Sequence, residues 1–392
     1  MAALKKIVEL GRSLLVASGV KLAPHAQRAV ERICLCRTAA LGGHAQACPE
    51  GHVERQWYNS CKHRSCPECN FTSVERWLAR QKIRMLDCDY YHVIFTLPHE
   101  LHPLWLSAVG AMTGLLFGAI RDTLFELLGD PKYLGAEPGL IVGLHTWGQT
   151  ATLHPHGHCL VTGGGMTSEG LWRAARNGYL LPGRVARDLF RGKMLAAIRV
   201  EIGKGKLTAP EGLRDRQVLN LLNKLGRKKW NVCVRERYAH GNGLLTYLGR
   251  YLRGGPMSNR RIVRFDAERV RFSYRDYRDD ESDGNKRREM ELETGEFLRR
   301  LMLHVPEPGR KVIRSYGLYA GSRRRDLDLC RELLGQEPIP DPEPLTWQDC
   351  LEKVNDAERG RCPVCGAYLV QREVIAPSRA GMNLKLPLRE AA

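Results

Sequence analysis

In the stretch HPHGHCLVTGGG three histidines, His154, His156 and His158, alternate just ahead of an apolar, β-branched run. A strand turns residues i and i+2 to one face, so His156 and His158 point the same way and make half of a metal site. The competing reading is a pair of satisfied core histidines. A second pattern lies downstream in GNGLLTYLGRYLRGG, a short helix opened at Asn242 or Gly243 and stopped by Gly254-Gly255. Tyr247 and Tyr251 are four residues apart there, which puts both phenols on one helical face, one turn apart. Taken alone, such a pair is most simply the sheet-packing face of an amphipathic helix.

Cysteines supply a third pattern. Of the 13 in the chain, six fall between Cys34 and Cys69 and four between Cys330 and Cys365. In a reducing compartment, clustered cysteines bind zinc more often than they form disulfides. The head offers Cys36, Cys48, His52, Cys61, Cys66 and Cys69. Cys66-Pro67-Glu68-Cys69 has the shape of a zinc knuckle, and Cys48 with His52 could be its partner pair. Cys36 and Cys61 are then left over, so one site with alternates and two sites sharing the segment are both open. Buried free thiols are the alternative reading, but the neighbours Arg55, Lys62, His63 and Arg64 suit contact with a phosphate backbone. In the tail, Cys362 and Cys365 form a second candidate knuckle, with Cys330 and Cys350 as candidate partners.

The elements that must position these groups follow from patterning. YYHVIFTL, residues 90 to 97, reads as a strand ended by Pro98, and helical patterning continues to about Leu128. GLIVGLHTWGQTATLHPHGHCLVTGGG reads as two strands joined near Leu153 to Pro155. Residues 168 to 228 read as mainly helical and basic, and a strand returns from Trp230. The apolar run from Leu104 to Ile120 contains Gly110, Gly114 and Gly118 and is closed by Arg121-Asp122, which marks a buried helix rather than a membrane span. The first residues lack the apolar core of a signal peptide. A net charge of +18, from 61 Lys+Arg against 43 Asp+Glu, favours a polyanionic partner, and nucleic acid fits better than a membrane surface. The chain has no G-x-x-x-x-G-K-[ST] phosphate loop.

Taken together, a zinc-ligand head, paired histidines on a strand and a later two-tyrosine helix resemble the HUH tyrosine nucleases, specifically the two-tyrosine rolling-circle transposases of bacterial insertion sequences. CRTAALGGH and YNSCKHRSCPEC are similar to that family's zinc-binding head. YYHVIFTLPHEL, LHTWGQTATLHPHGHCLVTGGG, TYLGRYLRG, VRFSYRDYRD, EFLRRLMLHVPEPGRKVIRSYGLYA and CPVCG follow in the family's order. Two positions depart from the pattern. Gly157 stands between the paired histidines where a bulky apolar residue is usual, which removes packing on the face opposite the metal. The head also reads CPEGH where a further cysteine is expected, and His52 is the natural substitute.

The resemblance implies an α+β fold: a central antiparallel sheet with helices forms the HUH nuclease domain, beside a small zinc-binding N-terminal module and a short C-terminal knuckle. It divides the chain into residues 1–88, 89–325 and 326–392, the last a linker and CxxC tail, loose after about Ala376. It further implies structural Zn²⁺ in the head, and Mg²⁺ or Mn²⁺ on His156 and His158. A third ligand would come from the neighbouring strand, Gln149 first and His145 second, since 145, 147 and 149 share a face. Tyr247 or Tyr251 would attack the scissile phosphate and leave a 5′-phosphotyrosine and a free 3′-OH, so strands rejoin without ATP. The implied partners are single-stranded transposon ends and target DNA, in the bacterial cytoplasm at the nucleoid, with no membrane. RGKMLAAIRVEIGKGK and NKLGRKKW would line the DNA path; Trp147, Trp172 and Trp230 are stacking or core residues, and RDYRDDESDGNKRRE is a solvated loop. The rival readings are a plasmid replication initiator or relaxase of the same chemistry, and a non-catalytic zinc-dependent nucleic-acid-binding protein.

Overall fold

The structure is a computed structural model that describes residues 3–17, 19, 22–239, 241, 243, 245, 246, 249, 255–276, 287–337, 339, 340, 342–354 and 356–378. Helices α1 (Ala3–Ala17) and α2 (Pro24–Leu35) open the chain. On α1 Leu4, Ile7, Val8, Gly11 and Leu15 recur at helical spacing and are buried, the stripe an amphipathic helix must cover. It packs on α2 and on α8 (Thr294–Leu303), which returns from far along the chain. A hairpin of β1 (Gly43–Ala47) and β2 (Glu54–Tyr58) follows, and β12 (Val370–Ile375) adds to its open edge, giving the order β12-β1-β2. The last described strand therefore belongs to the head's own sheet. Helix α3 (Phe71–Lys82) closes the head.

The central sheet is antiparallel, in the order β11-β4-β5-β3-β7: β3 (Tyr90–Thr96), β4 (Glu137–Trp147), β5 (Leu153–Met166), β7 (Asn231–Tyr238) and β11 (Ile313–Gly317), with short β6 (Trp172–Ala174) on the end of β5. Alternation sorts its side chains. Tyr91, Val93, Phe95, Leu140, Val142, Leu144, Cys159 and Val161 face one way, onto α5 (Val109–Gly129) and α6 (Gly183–Gly203). Tyr90, Ile141 and Leu160 face the other way, against Val74, Trp77 and Leu78 of α3 and Leu327 of α9 (Arg324–Leu333). The apolar run from Leu104 to Ile120 is split between α4 (His102–Ser107) and α5, and among the described residues no helix is long and apolar enough to cross a membrane.

Two sequence expectations change here. The link between the paired strands is a turn at 148–152, with β5 already begun at Leu153, so His154 is a strand residue. The charged run read as a loop enters a strand: Arg287–Glu293 is β10, paired with β9 (Arg269–Arg275) and thence to β8 (Ile262–Phe265). Its charges are neutralised across the strands, Glu291 meeting Arg264, Arg269 and Arg271, which is how a strand rich in charge is tolerated. Residues 277–286 and 379–392 lie outside the described residues.

Candidate active site

His156 and His158 stand on one face of β5, and His145 on β4 is the direct cross-strand partner of His156. One ring nitrogen from each of the three lies within 4.8 Å of the others. All three rings are buried. The Nδ1–H of His156 donates to the backbone carbonyl of His154 at 2.6 Å, which fixes the tautomer and turns Nε2 toward the cluster; such orienting bonds are the rule around metal-binding imidazoles. His158 is held similarly, its Nδ1 lying 2.8 Å from Nε2 of His92 on β3. Burial pushes all four pKa values down, those of His92 and His156 to about 4; neighbouring imidazoles lower those of His145, His156 and His158 further, and the Arg235 charge that of His92. The rings are therefore neutral near pH 7, the form that binds metal. His92 was missed in the sequence, although its place two residues after Tyr90 in a strand put it on the same face.

Gln149 lies past the end of β4, in the turn, where its backbone carbonyl accepts from the guanidinium of Arg261. His145, the second choice for a third ligand, is the residue that joins the pair. Gly157 has a packing cause: a Cβ there would come 2.4 Å from Cδ1 of Ile120 on α5. The methyl group of the helix occupies the space that a bulky strand residue would fill, so the opposite face is packed, contrary to the looseness expected from a strand glycine.

Trp147 stacks on His145, with ring centroids 4.7 Å apart and planes at 16°. Its edge borders a cavity of about 820 Å³ whose walls include Trp77, Trp105, Arg64, Arg84 and Arg310. Trp230 is instead a core residue, 3% exposed, donating its indole N–H to Leu225. The basic segment RGKMLAAIRVEIGKGK forms most of α6, which lies on the sheet face away from the histidines because Phe190, Met194 and Ile198 pack there with α5. Arg64, Arg84 and Arg310 beside the cavity are a set of cations separate from those of α6.

Tyr247 and Tyr251 lie outside the described residues. Leu245 is fully buried with Trp77, Leu78, Met85 and Tyr90, and a Cβ on Gly241 or Gly249 would come within 2.3 Å of Met85 or 2.5 Å of Leu78. These contacts put residues 241, 245 and 249 on the same side of the sheet as the histidines.

The cysteines sort into two clusters, not along the expected pairing. Cys36, Cys61, Cys66 and Cys69 form one, and Cys48, His52, Cys362 and Cys365 the other. The β1–β2 hairpin explains this. Cys48 and His52 sit in its tip, whereas Cys36 and Cys61 flank its base, where Arg37 bonds Asn59. In the first cluster the Sγ atoms of Cys61 and Cys69 are 3.7 Å apart. A disulfide would need about 2.05 Å, whereas the edge of a tetrahedron with Zn–S bonds of about 2.3 Å is about 3.8 Å. The amides of Cys61 and His63 donate to Cys36 and Cys61 sulfurs at 3.5 Å. Hydrogen bonds from the other three thiols lower the pKa of Cys36, favouring the thiolate that zinc requires. Buried Lys5 of α1 donates to the Cys36 carbonyl at 2.6 Å, which ties the opening helix to the cluster. Cys330 is a core residue and Cys350 packs toward the Thr72 carbonyl, so neither partners the tail knuckle.

Residues 10–97 match the family model "Transposase zinc-binding domain" and residues 139–326 the model "Putative transposase". The chain is 37% identical over 350 residues, 86% of each sequence, to "Putative transposase y4qJ" of Sinorhizobium fredii. It is 26% identical over 379 residues to the "Transposase for insertion sequence element IS801" of Pseudomonas savastanoi pv. phaseolicola, covering 91% of this chain and 85% of the other. No solved structure matches. With a zinc-type cysteine cluster inside one matched span, a histidine cluster inside the other and a relative at this identity over most of its length, the chain belongs to the insertion-sequence transposases with an N-terminal zinc-binding domain.

Proposed function

We propose that this transposase is a metal-dependent HUH nuclease that cuts and rejoins single-stranded DNA at the ends of its element through a 5′-phosphotyrosine. The observation that carries this reading is the cluster of His145, His156 and His158: neutral, buried imidazoles on two paired strands, with the bond from His156 to a carbonyl leaving its Nε2 available. Three nitrogens leave coordination positions for a phosphate oxygen and water. A divalent ion bound there, Mn²⁺ or Mg²⁺, would supply charge neutralisation at the scissile phosphate.

The protein groups have separate tasks. His92 and the His154 carbonyl orient the imidazoles. Tyr247 or Tyr251 attacks phosphorus and its hydroxyl gives up a proton; the P–O3′ bond breaks, the 3′-oxygen leaves and takes up a proton, and the tyrosine oxygen keeps the 5′-phosphoryl group. The ester so formed conserves the phosphodiester bond, so a 3′-OH can later displace the tyrosine without ATP. Arg64, Arg84 and Arg310 around the cavity would hold the anionic backbone, and Trp147 offers a ring on which an unpaired base can stack. The chemistry is tested by incubating the full chain with labelled single-stranded DNA from an element end and Mn²⁺. A protease-sensitive covalent adduct is expected, and it should be absent from the Tyr247→Phe/Tyr251→Phe double variant. Cleavage by that double variant at the parental rate would overturn the assignment.

A further inference from the structure

Half of the second cysteine cluster, Cys362 and Cys365, lies outside both spans matched to the transposase models. Cys48 lies 3.5 Å from Cys365, sulfur to sulfur, and 3.6 Å from Nδ1 of His52. A disulfide is excluded by the first distance. For tetrahedral zinc with bonds of about 2.3 Å to sulfur and about 2.05 Å to nitrogen, the expected edges are about 3.8 and 3.5 Å. The amide of Val364 donates to the Cys362 sulfur at 3.4 Å, which fixes the thiolate as a short metal-binding turn does.

The surroundings show why a metal is needed. Cys48 and Cys362 are 1% and 2% exposed, yet the apolar cluster around them adds only Leu369 as a buried residue, with Val53 at its edge. Strand β12 brings almost nothing else: it is exposed along nearly its whole length, Val374 at 71%. Five residue pairs with β1, the bond from the Ser378 amide to the Ala39 carbonyl just beyond it and this cluster hold it. The tail also meets the head through Trp347, edge-on to Trp57, and through the Leu345 carbonyl, which accepts from Arg76, but the strand itself has little apolar cover.

We propose that Cys48, His52, Cys362 and Cys365 bind a second structural zinc ion that clasps the end of the chain to the zinc-binding head across 317 residues of sequence. Three thiolates and one imidazole take the ion, and the thiol protons pass to solvent. The head's third strand is then completed by metal, and the nuclease lies inside the closed loop. This inference is independent of the tyrosine chemistry.

The test uses the full chain after dialysis against EDTA strong enough to strip loosely held ions. Zinc per chain should fall by one, relative to the parent, in Cys362→Ser/Cys365→Ser, and residues 370–375 should become sites of rapid amide exchange while residues 61–69 keep their protection. His52→Cys should retain the zinc. In the unsubstituted chain, X-ray absorption at the zinc edge should show nitrogen in the average ligand shell as well as sulfur, a measurement no folding defect can spoil. An all-sulfur shell, or a double variant that folds and holds as much zinc as the parent, would overturn the clasp.

Discussion

The cysteine clusters sit on turns at the ends of small strands, whereas the histidine cluster sits in the middle of long ones. Around the cysteines the strands are short: β1 and β2 have five residues each, and Cys48 and Cys362 share their small cluster with Leu369 alone as a buried neighbour, whereas Cys36, Cys61, Cys66 and Cys69 adjoin helix residues such as Val8, Val30, Ile33 and Leu298. The histidines instead project from 11- and 14-residue strands whose other face is covered by a large core. A site of the first kind folds when its ion arrives. A site of the second kind is formed by packing and can exchange its ion without losing its shape. The contrast fits the proposed reading, in which the first is structural and the second chemical.

The contrast can be broken most forcefully at the cysteines. Structural zinc contributes about 10–16 kcal/mol, comparable with the whole stability of a domain. Cys66→Ser should therefore unfold the head, seen as loss of amide-exchange protection across residues 36–69 together with loss of a zinc ion. A folded, protected head without that zinc would dissolve the distinction. At the histidines the effects should be reversed. His158→Ala removes a ligand and a partner of His92; cleavage should drop by at least about a hundredfold, since a metal contributes several kcal/mol to the transition state, with the zinc content unchanged.

Two smaller changes sharpen the picture of the scaffold. Gly157→Ala forces a methyl against Ile120 and should cost about 1–3 kcal/mol of stability by overpacking, read in denaturant melts; an Ile120→Val partner substitution should recover part of it. Trp147→Ala should weaken single-stranded DNA binding by the roughly 1–3 kcal/mol of one stacked base, measured by fluorescence anisotropy. Unchanged affinity would remove Trp147 from the DNA path.

Strand periodicity made the histidine site legible, because a two-residue repeat fixes the face without knowledge of any partner strand. The same rule would have found His92. It put Gln149 ahead of His145, since the repeat alone does not say where β4 ends and the turn begins, and the break comes at Trp147. Cysteine spacing announced zinc but not the pairing. Cys48 and His52 are near Cys66 in sequence and far from it across the hairpin, while Cys362 arrives through a strand pairing with 43–47 that local patterning does not encode. Net charge pointed to DNA, but it does not say on which side of the sheet a basic segment lies; the apolar stripe of α6 commits that helix to the side away from the histidines.

The most direct test of the division between structural and chemical sites is one experiment on one sample. The parent protein is treated with EDTA, its retained zinc and thermal melting are recorded, and adduct formation on element-end DNA is measured before and after Mn²⁺ is returned. The account expects melting and tightly bound zinc to be unaltered, adduct formation to vanish, and Mn²⁺ to restore it in the parent but not in His156→Ala/His158→Ala. Adduct formation that continues with only the cysteine-bound zinc present, or that Mn²⁺ restores equally in the double histidine variant, would contradict it.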